Sequence, residues 1–149
     1  KENWFFHNST HVIDLAFHLG GKPREISCYV SGGLSWHRSA SVFAGAGVSE
    51  KNALFSYQAN WEAPGRWGVE MLTKKHRLIL RPLEKLQIQK IGSVAIDMMD
   101  IDDKLDSLYK PGLFRQTKNF LNGITGKLCS IEEQVGMINV YKKIANYLQ

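Results

Sequence analysis

The chain has only two cysteines and four prolines in 149 residues. Cys28 and Cys129 stand far apart, without Cys-x-x-Cys spacing, and a chain of this size does not need the one disulfide they could form. A reducing cytoplasm is the expected setting. No run of about eighteen apolar residues is present, so no segment reads as a membrane span. No apolar centre near Lys1 marks a secretory leader. Also missing is a Gly-x-Gly-x-x-Gly turn after a first strand: Gly45-Ala46-Gly47 has neither a third glycine nor a following helix. The first residue is Lys1 rather than Met, directly before an aromatic run, which reads as a piece cut from something longer. Internal repeats and low-complexity stretches are absent.

What is present describes a globular domain. Apolar residues make up 44% and charged residues 22%, enough for a real hydrophobic core and against disorder. The net charge of +5 is dispersed apart from Lys74-Lys75-His76-Arg77 and Lys142-Lys143. That pattern reads as a solvated face, not a nucleic-acid stripe. It remains compatible with anionic substrates such as nucleotide sugars.

The order of elements follows from periodicity. Asn3-Trp4-Phe5-Phe6 is β-prone and predicts a short extended lead-in. A helix of about ten residues follows, capped by Ser9 or Thr10 and stopped by Gly20-Gly21. Period-two alternation then marks strands at 25–31, 39–48, 53–61, 66–72, 77–80 and 86–91. Ile26, Cys28 and Val30 alternate in the first, and the small residues of 44–47 signal a close approach or a bulge. Phe55, Tyr57 and Trp61 form an aromatic row, either core or an oligomer surface. Glu62-Ala63-Pro64-Gly65 is a turn. Short connections favour antiparallel pairing.

Asp97, Asp100, Asp102, Asp103 and Asp106 lack the glycine and terminal Glu of a calcium-binding EF-hand loop, and predict an irregular solvated connection. A helix is expected over 113–122, stopped by Gly123. Another starts at Ser130, with Glu133 completing a capping box. Its buried stripe is Val135, Ile138, Tyr141, Ile144, Ala145 and Leu148. The whole chain, 1–149, therefore reads as a single α+β domain. It has a mostly antiparallel sheet of about six strands, one N-terminal helix and two C-terminal helices.

The chemically loaded stretch runs from His7 to Gly21. His11, Asp14 and His18 recur at helical spacing, while Val12, Ile13, Ala16, Phe17 and Leu19 are apolar. These are packed structural histidines, a metal site, or a catalytic acid/base at His11 in the first helical turn. No second Cys, His or Glu cluster completes a metal site.

His11-Val12-Ile13-Asp14-Leu15, followed by an apolar run and Gly20-Gly21, resembles the start of the C-terminal domain in the glucose–fructose oxidoreductase / inositol dehydrogenase / MocA family. The order of helix, antiparallel strands and two C-terminal helices, with Leu121-x-Gly123 followed by the Ser130-started helix, extends the likeness over essentially the whole chain. The resemblance implies an NAD(P)-dependent dehydrogenase acting on a sugar, cyclitol or nucleotide-sugar alcohol, of which this chain supplies the substrate and oligomer contacts. NAD or NADP would sit mainly on an N-terminal Rossmann domain absent from the chain, so the fragment alone should be inactive.

By that resemblance His11 matches the family's proton-transferring His, and Asp14 an acidic residue three positions later. The family's Asp four residues before the His is replaced by His7, with Asn8 beside it. His7 and Asn8 would orient substrate hydroxyls; by residue type and turn placement rather than by the resemblance, Arg66 or Trp61 would touch the far end of a larger substrate. The expected partners are a sugar-like small molecule, the chain's own Rossmann domain and a second copy through the sheet face, with no nucleic acid and no membrane. The family's Glu-Lys-Pro motif is absent: Lys22-Pro23 and Lys110-Pro111 lack the Glu and follow the histidine helix. The alternative is a non-catalytic dimerising or ligand-binding α+β module.

Overall fold

The computed structural model describes residues 3–147. Along the chain it forms α1 (Trp4–Gly20), β1 (Pro23–Ser31), β2 (Val42–Ser49), β3 (Leu54–Asn60), β4 (Val69–Leu72), β5 (His76–Leu80), β6 (Leu86–Lys90) and β7 (Asp97–Met98). Then come α2 (Lys104–Leu108), α3 (Leu113–Leu121), a 3-10 turn (Thr125–Lys127) and α4 (Ile131–Ala145). The class is α+β, with strands and helices segregated. The strands do not make one sheet of six, however. They make two, ordered β1-β2-β3 and β4-β5-β6-β7. After Trp61, whose amide donates to the Ser41 carbonyl, the chain runs without strand structure through Pro64-Gly65 until Val69. Proline lacks the donor that would have continued the ladder there.

The chain divides into two compact units, Lys1–Val69 with Ile138–Gln149, and Glu70–Met137. In the first, the antiparallel register explains the small residues of β2. Cys28, Gly45 and Tyr57 lie opposite one another, as do Ile26, Gly47 and Phe55, and Val30, Phe43 and Ala59. Residues directly opposite share a face. A Cβ on Gly45 would stand 2.5 Å from the Tyr57 ring and 2.4 Å from the Ser27 carbonyl oxygen. One on Gly47 would stand 2.0 Å from the Glu25 carbonyl oxygen and 2.7 Å from Phe55. The glycines give the Phe55 and Tyr57 rings room over the central strand. The close approach expected from the sequence is real, and the β1–β2 register also shifts between Pro23 and Glu25.

On that face lies α1. Phe5 meets Phe43 at 5.0 Å and Phe17 meets Phe55 at 5.1 Å between ring centroids. Ile144 and Ala145 of α4 complete the buried cluster, with Tyr57 and Trp61 packed against it. The aromatic row of Phe55, Tyr57 and Trp61 is thus half-buried, with Tyr57 and Trp61 packed against this cluster and Phe55 against Phe17.

The start of α1 differs from the expected extended lead-in: Trp4, Phe5 and Phe6 are helical. Burial of Trp4 and Phe5 against the sheet outweighs their weak preference for strand. Ser9 and Thr10 therefore do not cap. Ser9 is buried mid-helix, and the Thr10 hydroxyl donates back to the Phe6 carbonyl at 2.8 Å, a bond available only inside a helix.

In the second unit β5 and β6 pair with Leu78 opposite Ile88 and Leu80 opposite Leu86. The acidic stretch is more ordered than expected. Asp97 lies in β7, the short helix α2 begins after Asp103, and Lys85 Nζ reaches the Asp103 carboxylate at 2.5 Å. Helix α3 begins after Gly112 (φ 76°), and Gly123 (φ 66°) follows its end. Its apolar residues Leu113, Phe114, Phe120 and Leu121 are all exposed.

The capping box forms as expected: the Ser130 amide donates to Glu133 Oε2 and the Glu133 amide to Ser130 Oγ. Along α4, Tyr141, Ile144 and Ala145 are buried, whereas Val135 and Ile138 are exposed. Leu148 lies outside the described residues. No helix among the described residues is long and apolar enough to cross a membrane.

Candidate functional site

Trp4, His7, Asn8 and His11 lie within one stripe of α1, because three, four and seven residues are each close to whole turns of a helix. Trp4 and His11 are about 10 Å apart along the axis at 1.5 Å per residue. The irregular segment leaving β3 runs beside this stripe. Its first ring, Trp61, packs edge-on against Trp4 at 4.6 Å, and Trp67 packs edge-on against His11 at 4.2 Å. Arg66 precedes Trp67 and is exposed. The first unit thus brings His7, Asn8, His11 and Trp61 to one side of α1, with Trp67 and Trp4 added to the set, while no contact ties Arg66 to that side.

Two details of the expectation change. Because α1 starts at Trp4, His11 is in its third turn, beyond the first-turn reach of the helix's positive end. Asn8 spends its side-chain amide on the Trp4 carbonyl at 3.1 Å, leaving its side-chain oxygen as an acceptor. His7, His11 and Arg66 are exposed and form no ion pair with a carboxylate among the described residues. Asp14, three positions after His11, accepts the hydroxyl of buried Tyr141. Among the described residues no three His, Cys, Asp or Glu side chains gather closely enough to hold a metal.

Trp67 and Trp4 were not evident as site residues from the sequence. The seven-residue spacing from Trp4 to His11 was the available signal, obscured by reading Trp4 as strand. Trp67 carried none, since its contact depends on the path of a segment with no regular structure.

Other chemistry lies elsewhere. Within the first unit the Tyr57 hydroxyl is enclosed without a hydrogen-bond acceptor. Burial, and then the neighbouring Cys28 thiol, hold the phenol well above its ordinary pKa. Cys28 and Cys129 are both free thiols. In the second unit an open cleft of about 460 Å³ is lined by Gly112, Arg115, Gln116, Asn119, Lys127 and Cys129, and includes none of the residues along α1. Comparison with known proteins gives no family model, no curated protein and no solved structure that matches the chain.

Proposed function

We propose that the chain is the substrate-binding and oligomerisation part of an NAD(P)-dependent oxidoreductase acting on a sugar, cyclitol or nucleotide-sugar alcohol. The observation that carries this reading is the Trp67 edge seated on His11, on a helix stripe that also bears His7 and Asn8. Indole rings cover the C–H faces of a sugar, while imidazole and amide oxygen take its hydroxyls. In this reading His11 accepts the proton of the reacting hydroxyl. Asn8 offers an acceptor, and His7 and Arg66 orient the remaining oxygens.

The chemistry a bound oxidised nicotinamide would supply is acceptance of the hydride from the carbinol carbon. Gly45 and Gly47, the one glycine pair with a dinucleotide look, lie mid-strand with carbonyl oxygens and rings within 3 Å of their missing side chains. The cofactor is assigned to a separate Rossmann domain, and the chain's residues to the substrate side.

The test is a titration of the chain with D-glucose, myo-inositol and a nucleotide sugar, followed by NMR of the His11 imidazole and Trp67 indole. Both resonances should move, and Trp67→Ala should weaken binding. In an enzyme joined to its cofactor domain, His11→Ala should lower kcat by roughly 10²–10⁴-fold. Unmoved His11 and Trp67 signals with every probe would remove the reading.

A second reading, a non-catalytic association module, draws on one observation: the exposed stripe of Leu113, Phe114, Phe120 and Leu121 on α3. Sedimentation of the chain beside a Phe120→Glu variant checks it, a concentration-dependent dimer lost in the variant being the supporting result.

A further inference from the structure

Among the described residues, two enclosed side-chain polar atoms lack a hydrogen-bond partner, the Tyr57 hydroxyl and the Trp4 indole N–H. Tyr57 has the Cys28 thiol beside it. Around the Trp4 indole stand several rings. Trp61 stands at 4.6 Å, Trp36 at 5.3 Å, Phe5 and His37 at 6.0 Å and Phe43 at 6.4 Å between centroids. An enclosed donor without an acceptor is destabilising, because its lost hydration is not replaced. Buried indoles ordinarily find a partner. Trp4 is 4% exposed, so water does not reach its donor.

One of the surrounding rings is loosely held. Trp36 is 61% exposed and sits in the connection between β1 and β2. That connection closes on long bonds: the Leu34 amide to the Ser39 carbonyl and the His37 amide to the Leu34 carbonyl, both 3.3 Å. The Ser39 amide donates to His37 Nδ1 at 3.0 Å. The connection starts at Gly32 and Gly33. Gly32 has φ +70° and lies so close to Ser41 that a Cβ would sit 2.2 Å from its Oγ, whereas Gly33 has open space around it. Moving the Trp36 ring off Trp4 breaks ring contacts and no hydrogen bond made by its own side chain.

We infer that Trp4 and Trp36 form a distal sugar subsite, about 10 Å along α1 from His11. There Trp36 moves aside, and the Trp4 N–H donates to a hydroxyl or ring oxygen of an extended, disaccharide-sized ligand. Trp36 and Trp61 then flank the sugar ring. This subsite rests on the functional reading above and extends it: His11 and Trp67 take the reacting unit, and Trp4 and Trp36 take the next. The spacing selects an extended ligand because the two ends lie two helical turns apart, farther than one sugar ring reaches. The competing account is that the Trp4 N–H is satisfied by the Trp61 ring, which stands at 85° to it, a weaker bond than one to oxygen.

The experiment is a ¹⁵N-indole NMR titration of the chain with D-glucose and with cellobiose and maltose. Trp36→Phe, Trp61→Phe and Trp67→Phe variants assign the resonances. The expected result is that glucose moves Trp67 alone, while a disaccharide moves Trp67 and shifts the Trp4 N–H downfield. Trp36→Ala, at an exposed position that should not disturb folding, should speed water exchange at the Trp4 N–H. It should weaken the disaccharide roughly tenfold, as expected for loss of an aromatic anchor, and leave glucose unchanged. A Trp4 resonance that stays fixed while Trp67 responds overturns the subsite and leaves the wider reading standing, with Trp61 as the acceptor. A titration in which neither moves overturns both.

Discussion

The two units of the chain treat their apolar residues in opposite ways. In the first, Trp4, Phe5, Phe43, Tyr141, Ile144 and Ala145 are buried. One sheet face, one helix and the end of another share a single cluster. In the second, Ile79 and Met137 are buried while Leu72, Ile91, Val94, Leu108, Phe120, Leu121 and Ile131 stay exposed. The difference is one of cover. A three-stranded sheet with a seventeen-residue helix laid on it satisfies its inner face. A four-stranded sheet whose last strand has two residues, followed by short helices, leaves apolar side chains in water. The first unit therefore covers its inner sheet face from within the chain, and the second does not.

Cutting matched side chains from the two units gives the largest expected contrast. Phe43→Ala removes a ring that is 1% exposed and should cost about 3–5 kcal/mol in urea unfolding. Phe120→Ala removes one that is 73% exposed and should change stability by no more than about 0.5 kcal/mol. Equal effects would mean that Phe120 is covered in solution.

Added methyl groups sharpen the same contrast. Gly47→Ala drives a Cβ into the Glu25 carbonyl, and should destabilise by about 1–3 kcal/mol through strain between β1 and β2. Gly136→Ala meets nothing within 4 Å in α4 and should stabilise by about 0.5–1 kcal/mol, the ordinary gain of alanine over glycine in a helix. Opposite signs in one melting series are the check.

Much of the first unit was legible in its sequence, because its rules are local. Ile26, Cys28 and Val30 alternate as a half-buried strand must, and the small residues of β2 announced close packing before their neighbours were known. In the second unit, too, a local rule held: Ser130 and Glu133 signalled a cap three residues apart, and it forms. What was misread depended on distant partners. Trp4-Phe5-Phe6 carries a strand's composition, yet is wound into helix by burial against β2. The division into two sheets has no local mark beyond Pro64-Gly65, since strand pairing is settled across the fold. The histidine stripe could be drawn from spacing alone. Of the rings that face it, Trp61 was named from its type and its place at a turn, but Trp67 was not, because an irregular segment has no period to read.

The smallest contrast is electrostatic, and the units should show it at opposite ends of the pH scale. Tyr57 in the first unit is held in its neutral form by burial, so its folded pKa lies above the unfolded value of about 10. Its contribution is full below that pH and is lost as pH rises beyond it, because the unfolded chain then sheds a proton the folded chain keeps. Tyr57→Phe should flatten the alkaline fall in stability.

In the second unit Lys85 holds the Asp103 carboxyl below its usual range by hydrogen bond and charge. That contribution is present above the unfolded pKa of about 3.9 and fades as acid protonates the folded carboxyl. Lys85 is exposed and Asp103 partly so, and salt should screen the pair. A double-mutant cycle with Lys85→Met and Asp103→Asn should show a small coupling near neutral pH at low salt, and none at high salt or in acid. A coupling that survives high salt would mean the pair is shielded from solvent, and so that the second unit's surface is covered after all.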